Sequence, residues 1–180
     1  MHLNKVRIIG GDMRSRVISF PDADGLRPTP DRVRETLFNW LGQTLYGRTC
    51  LDLFAGSGAL GFEAASRGSE RVVMVEKNPS VCRSLQDNLK KFVCANVSVH
   101  CRDGLEFITR DAQRYDVIFL DPPFGSDYLP GLLERMPQHL NENGVLYVES
   151  GVAIDAPPPW LVVKSGRAGQ VHFQLLRYPA

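Results

Sequence analysis

The stretch TCLDLFAGSG, residues 49–58, decides the fold. A short apolar run, Thr49–Phe54, passes directly into glycine-rich sequence, the pattern of a buried strand feeding a tight turn. Ala59–Arg67 then reads as a helix stopped by Gly68. The same unit recurs downstream. Arg71–Glu76 (RVVMVE) is a second strand, and Asn78-Pro79 caps and opens a helix with Val81, Leu85 and Leu89 on one face. Asn96–Cys101 is a third strand, followed by a short helix near Leu105–Thr109. Tyr115–Leu120 (YDVIFL) is a fourth strand, Leu129–Leu140 a helix, and Gly144–Glu149 (GVLYVE) a fifth strand. This alternation predicts a parallel sheet with helices on both faces. Beyond Pro157-Pro158-Pro159, Leu161–Ser165 and Val171–Tyr178 read as two strands joined by Gly166–Gln170, an antiparallel hairpin at the sheet edge.

The first 48 residues do not follow that pattern. Val6–Ile9, Gly10-Gly11 and Val17–Phe20 suggest a small hairpin, and Leu26-Arg27-Pro28-Thr29-Pro30 a rigid extended stretch. Pro30 or Asp31 opens a helix to about Tyr46, with Val33, Leu37, Trp40 and Leu41 on its apolar face. The expected division is an extension over 1–48 and a main domain over 49–180.

Composition restricts the function classes. At 180 residues and 43% hydrophobic content, the chain suits one ordinary core. No apolar run approaches the roughly 18 residues of a membrane span, and no apolar core follows Met1-His2-Leu3-Asn4-Lys5, so a cytoplasmic protein is expected. Cys50, Cys82, Cys94 and Cys101 form no CxxC pair, which argues against a metal cluster. Net charge is +1, but residues 1–48 carry eight basic residues against five acidic ones. The asymmetry suggests a local phosphate-binding face.

The glycine-rich loop lies where parallel sheets bind ligands, at the strand C-terminal ends. Gly56-x-Gly58-x-x-Gly61 also meets the dinucleotide fingerprint, with Glu76 where a ribose-binding acid belongs. A nicotinamide enzyme is therefore a competitor. Asp52 argues against it, because a carboxylate there repels a pyrophosphate but suits an ammonium group. Asp103 offers an acceptor for an adenine amine, although Asp103-Gly104 could also simply cap the next helix. No hydride-transfer partner is evident.

Asp121-Pro122-Pro123-Phe124 follows the fourth strand and should face the glycine-rich loop. Two prolines fix the backbone and remove two N–H donors. A carboxylate, free carbonyls and an aromatic ring remain. That set suits the exocyclic amine of a planar base. Its hydrogens need acceptors and its ring a stacking surface, worth about 1–3 kcal/mol per base in nucleic-acid complexes. The alternative is a rigid turn with a packed Phe.

DLFAGSG, then Glu76, Asp103 and DPPF, resemble the motif order of class I S-adenosylmethionine-dependent methyltransferases that methylate amines. With Ile8-Ile9-Gly10-Gly11, LRPT (Leu26–Thr29) and DRVRETLFNWL (Asp31–Leu41), the chain strongly resembles the RsmD family, the bacterial 16S ribosomal RNA (guanine-N2)-methyltransferases. The match runs from about Val6 to Glu149.

The resemblance implies a Rossmann-like α/β fold: a mostly parallel seven-stranded sheet with an antiparallel C-terminal edge hairpin, plus a small N-terminal hairpin and helix extension. It implies S-adenosylmethionine held by Asp52, Phe54, Gly56, Gly58, Glu76, Lys77, Asp103, Gly104 and Asp121. Guanine would enter at Asp121, Pro122, Pro123 and Phe124. Arg7, Arg14, Arg16, Arg27, Thr29 and Arg32 become candidate RNA contacts. The implied partner is 16S ribosomal RNA within an assembled or assembling small subunit, met by a monomer without metal or membrane. One departure stands out. Where the family has a Trp-Arg-Gly-Arg-like run, this chain has Met13-Arg14-Ser15-Arg16 after Asp12.

Other readings stay open at this point. A DNA or protein amine methyltransferase is one, although DNA adenine enzymes more often carry an Asn-initiated tetrapeptide ending in Tyr. A silent RNA-binding module using the basic N-terminal face is another.

Overall fold

The computed structural model describes residues 2–180. Two strands at the N-terminus, β1 (Leu3–Arg7) and β2 (Val17–Pro21), pair antiparallel as a separate hairpin. Helix α1 (Asp31–Leu41) follows. Then come β3 (Thr49–Asp52), α2 (Ala59–Ser66), β4 (Arg71–Glu76), α3 (Pro79–Phe92), β5 (Val97–Cys101) and α4 (Gly104–Arg110). The chain continues through β6 (Tyr115–Leu120), α5 (Tyr128–Arg135), β7 (Leu140–Ser150), β8 (Leu161–Ala168) and β9 (Val171–Arg177). The main sheet has the order β5-β4-β3-β6-β7-β9-β8. Its first five strands are parallel, and β9 and β8 run antiparallel at one edge.

Both sheet faces are buried. Along β6, Val117 and Phe119 join the core under the hairpin and α1–α3, while Ile118 and Leu120 join the core under α4 and α5. That two-sided burial is why the parallel strands read as continuous apolar runs. Parallel strands also bring all their C-terminal ends to one edge. The loops after β3 through β7 must therefore share that edge, and all candidate cofactor residues lie on it. Among the described residues no helix is long and apolar enough to cross a membrane.

Two helices depart from expectation. Helix α1 ends at Leu41, not near Tyr46, because Gly42 turns left-handed (φ 100°). The helix expected over Leu129–Leu140 is α5 followed by a 3-10 turn, Met136–His139. Pro130 sits in the first turn of α5, where its missing N–H is harmless, but Pro137 stops the α-helical ladder. Strand β9 lies between β7 and β8, so the last strand in the chain is not the outermost.

The hairpin and α1 pack on the main sheet's helices. Val6, Ile8, Ile18 and Phe20 share a core with Phe62 of α2 and Phe92 of α3. The tie is also ionic. Glu63, fully buried in α2, accepts from the amides of Ile9 and Gly10 at 2.9 Å each. It also accepts from Arg67 Nε at 2.9 Å and the buried Arg34 Nη1 at 3.3 Å. Arg34 thus belongs to the interior and not to a basic surface.

The departure at residues 12–16 keeps its turn. Met13 is buried, and its amide donates to Ser66 Oγ. Ser15 adopts a left-handed conformation (φ 69°), where an L-residue is strained and glycine is not. The Ser15→Gly variant should gain about 1 kcal/mol of stability, read by urea denaturation. An unchanged or lowered midpoint would contradict the strain. Glu63→Ala should lose about 3–5 kcal/mol, because the buried Arg67 guanidinium loses its counter-charge and Arg34 is left with only the exposed Asp31. A loss under about 1 kcal/mol would show the cluster to be dispensable.

Candidate active site

An acidic residue stands at or just beyond the C-terminal end of each of the five parallel strands. In spatial order they are Asp103 after β5, Glu76 on β4, Asp52 on β3, Asp121 after β6 and Glu149 on β7. The chain treats them differently.

Glu76 closes the glycine-rich loop. Its Oε2 accepts from the Gly56 amide and its Oε1 from the Asn78 amide, both at 2.9 Å. Gly58, at φ 87°, caps α2, and a Cβ there would come within 2.7 Å of Leu85 and Phe62. A Cβ on Gly56 would meet Leu26 at 2.8 Å, so the segment after β2 lies over the loop. Asp103 caps α4: its Oδ1 accepts from Leu105 N at 2.9 Å and Glu106 N at 3.1 Å. The capping alternative for Asp103 is therefore realised. Gly104 approaches the loop closely, since a Cβ there would lie 2.9 Å from the Leu53 carbonyl and 3.0 Å from the Phe54 ring. Phe54 stacks on Tyr128 with ring centroids 6.4 Å apart. Lys77 is exposed beside Glu76.

Asp52, Asp121 and Glu149 form the centre. Asp52 is buried, and its Oδ2 accepts from the Gly61 amide at 3.0 Å. Burial pushes its carboxyl up to about 7, with Glu76 and Glu149 adding to the rise and the Gly61 amide opposing it. Asp121 stands beside Glu149, one residue past the paired Leu120 and Val148, and burial, then Glu149, then Asp52 raise its carboxyl well above the usual carboxylate range. Glu149 is also raised by burial, against the pull of the Thr29 hydroxyl that donates to it. Thr29 Oγ1 donates to Glu149 Oε2 at 3.0 Å. The Tyr147 hydroxyl is buried beside Glu149 without a well-aligned partner. Among the described residues none of Asp52, Asp121 and Glu149 makes an ion pair with a basic side chain. Asp52 and Glu149 are buried and Asp121 is half-buried, and shielded carboxylates without counter-charge suit a cationic ligand.

Pro122 is buried, Pro123 exposed and Phe124 61% exposed, an unusual position for so large a ring. One edge of that ring rests over Gly151, where a Cβ would lie 3.4 Å away. The other candidates divide into two groups. Thr29 is buried at the site through Glu149, and the flanking Arg27 and Arg32 are exposed on the segment that carries it. Arg7, Arg14 and Arg16 belong to the far end of α2, roughly 12 Å along an eight-residue helix. There Arg7 donates to the Ser15 carbonyl, and Arg16 donates to the Phe92 carbonyl. Arg14 lines a cavity of about 480 Å³ with Gly10, Gly11, Tyr46 and Arg67. No group of His, Cys, Asp and Glu suited to a metal occurs among the described residues.

Sequence reasoning missed Glu149, Tyr147 and the buried role of Arg34. A signal for Glu149 existed. It ends its strand as Asp52 and Glu76 end theirs, an acid closing an apolar run.

Comparison with known proteins agrees with this geometry. The family model described as conserved hypothetical protein 95 matches residues 6–177. The Ribosomal RNA small subunit methyltransferase D of Escherichia coli (strain K12) is 40% identical over 185 residues, covering 98% of this chain and 91% of that protein. The protein of the same name from Haemophilus influenzae is 37% identical, covering 95% of this chain and 93% of that one. The solved structure of Escherichia coli yhhF superposes with a TM-score of 0.88 at 37% identity, over 98% of this chain and 99% of that one.

The raised acids predict a pH dependence. Between an unfolded value near 3.8 and a folded value of about 7, the folded protein holds a proton on Asp52 that the unfolded chain has released. That contribution to stability is full below the unfolded value and is lost as pH rises through the folded one. From about pH 5 to about pH 8 the urea midpoint should fall, and Asp52→Asn should flatten the decline. An equally steep decline in Asp52→Asn would place the proton elsewhere.

Proposed function

Because the chain belongs to the family of the small-subunit ribosomal RNA methyltransferases D, we propose that it transfers a methyl group from S-adenosylmethionine to the exocyclic N2 of a guanine in 16S ribosomal RNA. The observation that carries this reading is the exposed Phe124 ring beside Asp121, at the mouth of an edge lined by acids without counter-charge. The donor set fits the cofactor. Asp52 suits the methionine ammonium, Glu76 the ribose hydroxyls through its remaining lone pairs, and Asp103 the adenine amine. Gly56, Gly58 and Gly104 keep the surrounding backbone close, with Phe54 and Lys77 at the periphery. When bound, the sulfonium supplies an electrophilic methyl.

The chain's own residues then orient the acceptor. Asp121 and the Pro122 carbonyl accept hydrogen bonds from the base amine, turning its lone pair toward the methyl, and the proton made acidic by methylation leaves through the Asp121 carboxylate to solvent. This is positioning and electrostatics rather than strong-base chemistry. Pro122 and Pro123 offer no N–H to compete for those acceptors. Phe124 gives the base a face to stack on. Guanine presents N1–H and N2–H on one edge, both of which can point at Asp121. An A-form helix hides its base edges, so the target is an unpaired or loop guanine. Residues 1–48 form the RNA-facing extension in this reading. Arg27 and Arg32 contact phosphate near the site, and Arg7, Arg14 and Arg16 do so at its far end. A monomer working in the cytoplasm on an assembling subunit fits so small a reader.

Asp121→Ala should lower the methylation rate by about 100-fold or more with RNA affinity nearly intact, measured by label transfer and by filter binding. An unchanged rate would remove Asp121 from the mechanism. Labelled S-adenosylmethionine supplied with unmodified small subunits should yield N2-methylguanosine. Label in N6-methyladenosine would point to adenine instead. The double variant Arg27→Ala/Arg32→Ala should weaken subunit binding and make it less sensitive to salt, the log–log slope falling by roughly one unit for each phosphate that is no longer neutralised. An unchanged slope would place the RNA elsewhere.

A further inference from the structure

Strands β6 and β7 are neighbouring and parallel, with Leu120 opposite Val148. One residue further along each strand stand Asp121 and Glu149. Side by side and alternating with residues that face the opposite core, they project to the same sheet face. Neighbouring strands lie roughly 4.8 Å apart, and each of two carboxyls held that close in a shielded site disfavours ionisation of the other. A single proton held by the two relieves this, and it titrates as a property of the pair.

The groups facing this pair are acidic or neutral on every side. Asp52 approaches from β3, with Glu76 acting on it from the next strand. Tyr147 approaches from β7, and Thr29 from the segment before α1. The guanidinium of Arg34 is spent on the Thr29 and Arg7 carbonyls, Asp31 and Glu63. A cation entering this cluster therefore meets unneutralised negative field, and its presence favours the fully ionised pair.

We propose that Asp121 and Glu149 share one proton in the ligand-free protein and surrender it to solvent when a sulfonium cation occupies the strand-end loops, so that binding of S-adenosylmethionine releases one proton more than binding of its thioether product, S-adenosylhomocysteine, which lacks the sulfonium charge. The proposal rests on reading those loops as the cofactor site. It gives the pair two roles. It makes donor binding tighter as pH rises, and it favours the charged donor over the spent product. Glu149 is then a positioning residue, acting on the donor and the base through Asp121.

The test is isothermal titration of the full chain with each ligand, in two buffers of different protonation enthalpy. At about pH 6.5 the α-amino group of either ligand is already protonated and does not confuse the count. The difference between buffers should report up to roughly one proton more released per S-adenosylmethionine than per S-adenosylhomocysteine, the proton on Asp52 being displaced by the ammonium that both ligands carry. Glu149→Gln should still bind both ligands, release equal numbers of protons with the two, and lose about tenfold of its preference for the sulfonium. Equal proton counts with both ligands bound to the wild-type chain, or an undiminished difference between them in Glu149→Gln, overturn the proposal alone. Failure of either ligand to bind overturns the reading of the site and the proposal with it. Should Glu149→Gln not fold, the comparison of the two ligands on the wild-type chain decides.

Discussion

Glu63 carries a charge where no water reaches it, and the protein is arranged around satisfying that charge. Four donors converge on its two oxygens: two amides of the N-terminal hairpin and two arginines. Removing a buried ion's partners costs several kcal/mol, so hairpin, α1 and α2 are held to a single arrangement. The constraint propagates. Arg34 Nε reaches from Glu63's neighbourhood to the Thr29 carbonyl at 3.1 Å, and the Thr29 hydroxyl reaches Glu149. Glu149 in turn stands beside Asp121 on the neighbouring strand. A buried ion pair on one side of the sheet thereby helps set the carboxyl of the tetrapeptide at its edge.

That edge shows one residue type used in three ways. Glu76 and Asp103 spend oxygens on backbone amides, so their charge shapes the glycine-rich loop and starts a helix. Asp52 has one amide partner and keeps the rest of its negative charge in a buried setting. Asp121 and Glu149 have each other. The first treatment is structural and costs little. The others raise the energy of the ionised protein, a cost that a bound cation would relieve.

Much of this was legible in the sequence. The parallel strands are continuous apolar runs because both faces are covered, and β4 and β6 begin and end where the patterning placed them. The acids at strand ends were legible where glycine or proline followed, as at Asp52 and Asp121. Glu149 is followed by Ser150-Gly151-Val152, whose turn chemistry is weak, and it read as the end of a strand. Arg34 could not be told from its neighbours, since Arg32 and Arg34 differ only in which face of α1 they occupy and in what waits there. Glu63, in an otherwise small and apolar helix, gains its meaning from Ile9 and Gly10, more than fifty residues earlier. Pattern reading is local, and these contacts are not.

The Thr29–Glu149 hydrogen bond joins residues 120 positions apart. Closing so long a loop comes late, after the intervening strands have found their places. During synthesis, residues 1–48 can settle against α2 and α3 well before β7 has been made, yet Asp121 lacks its partner until then. A truncated chain would thus carry a docked N-terminal face without the finished acidic pair. The last parallel strand to be translated is the one that completes the site, so the order of translation itself withholds the finished geometry until the parallel part of the sheet is complete.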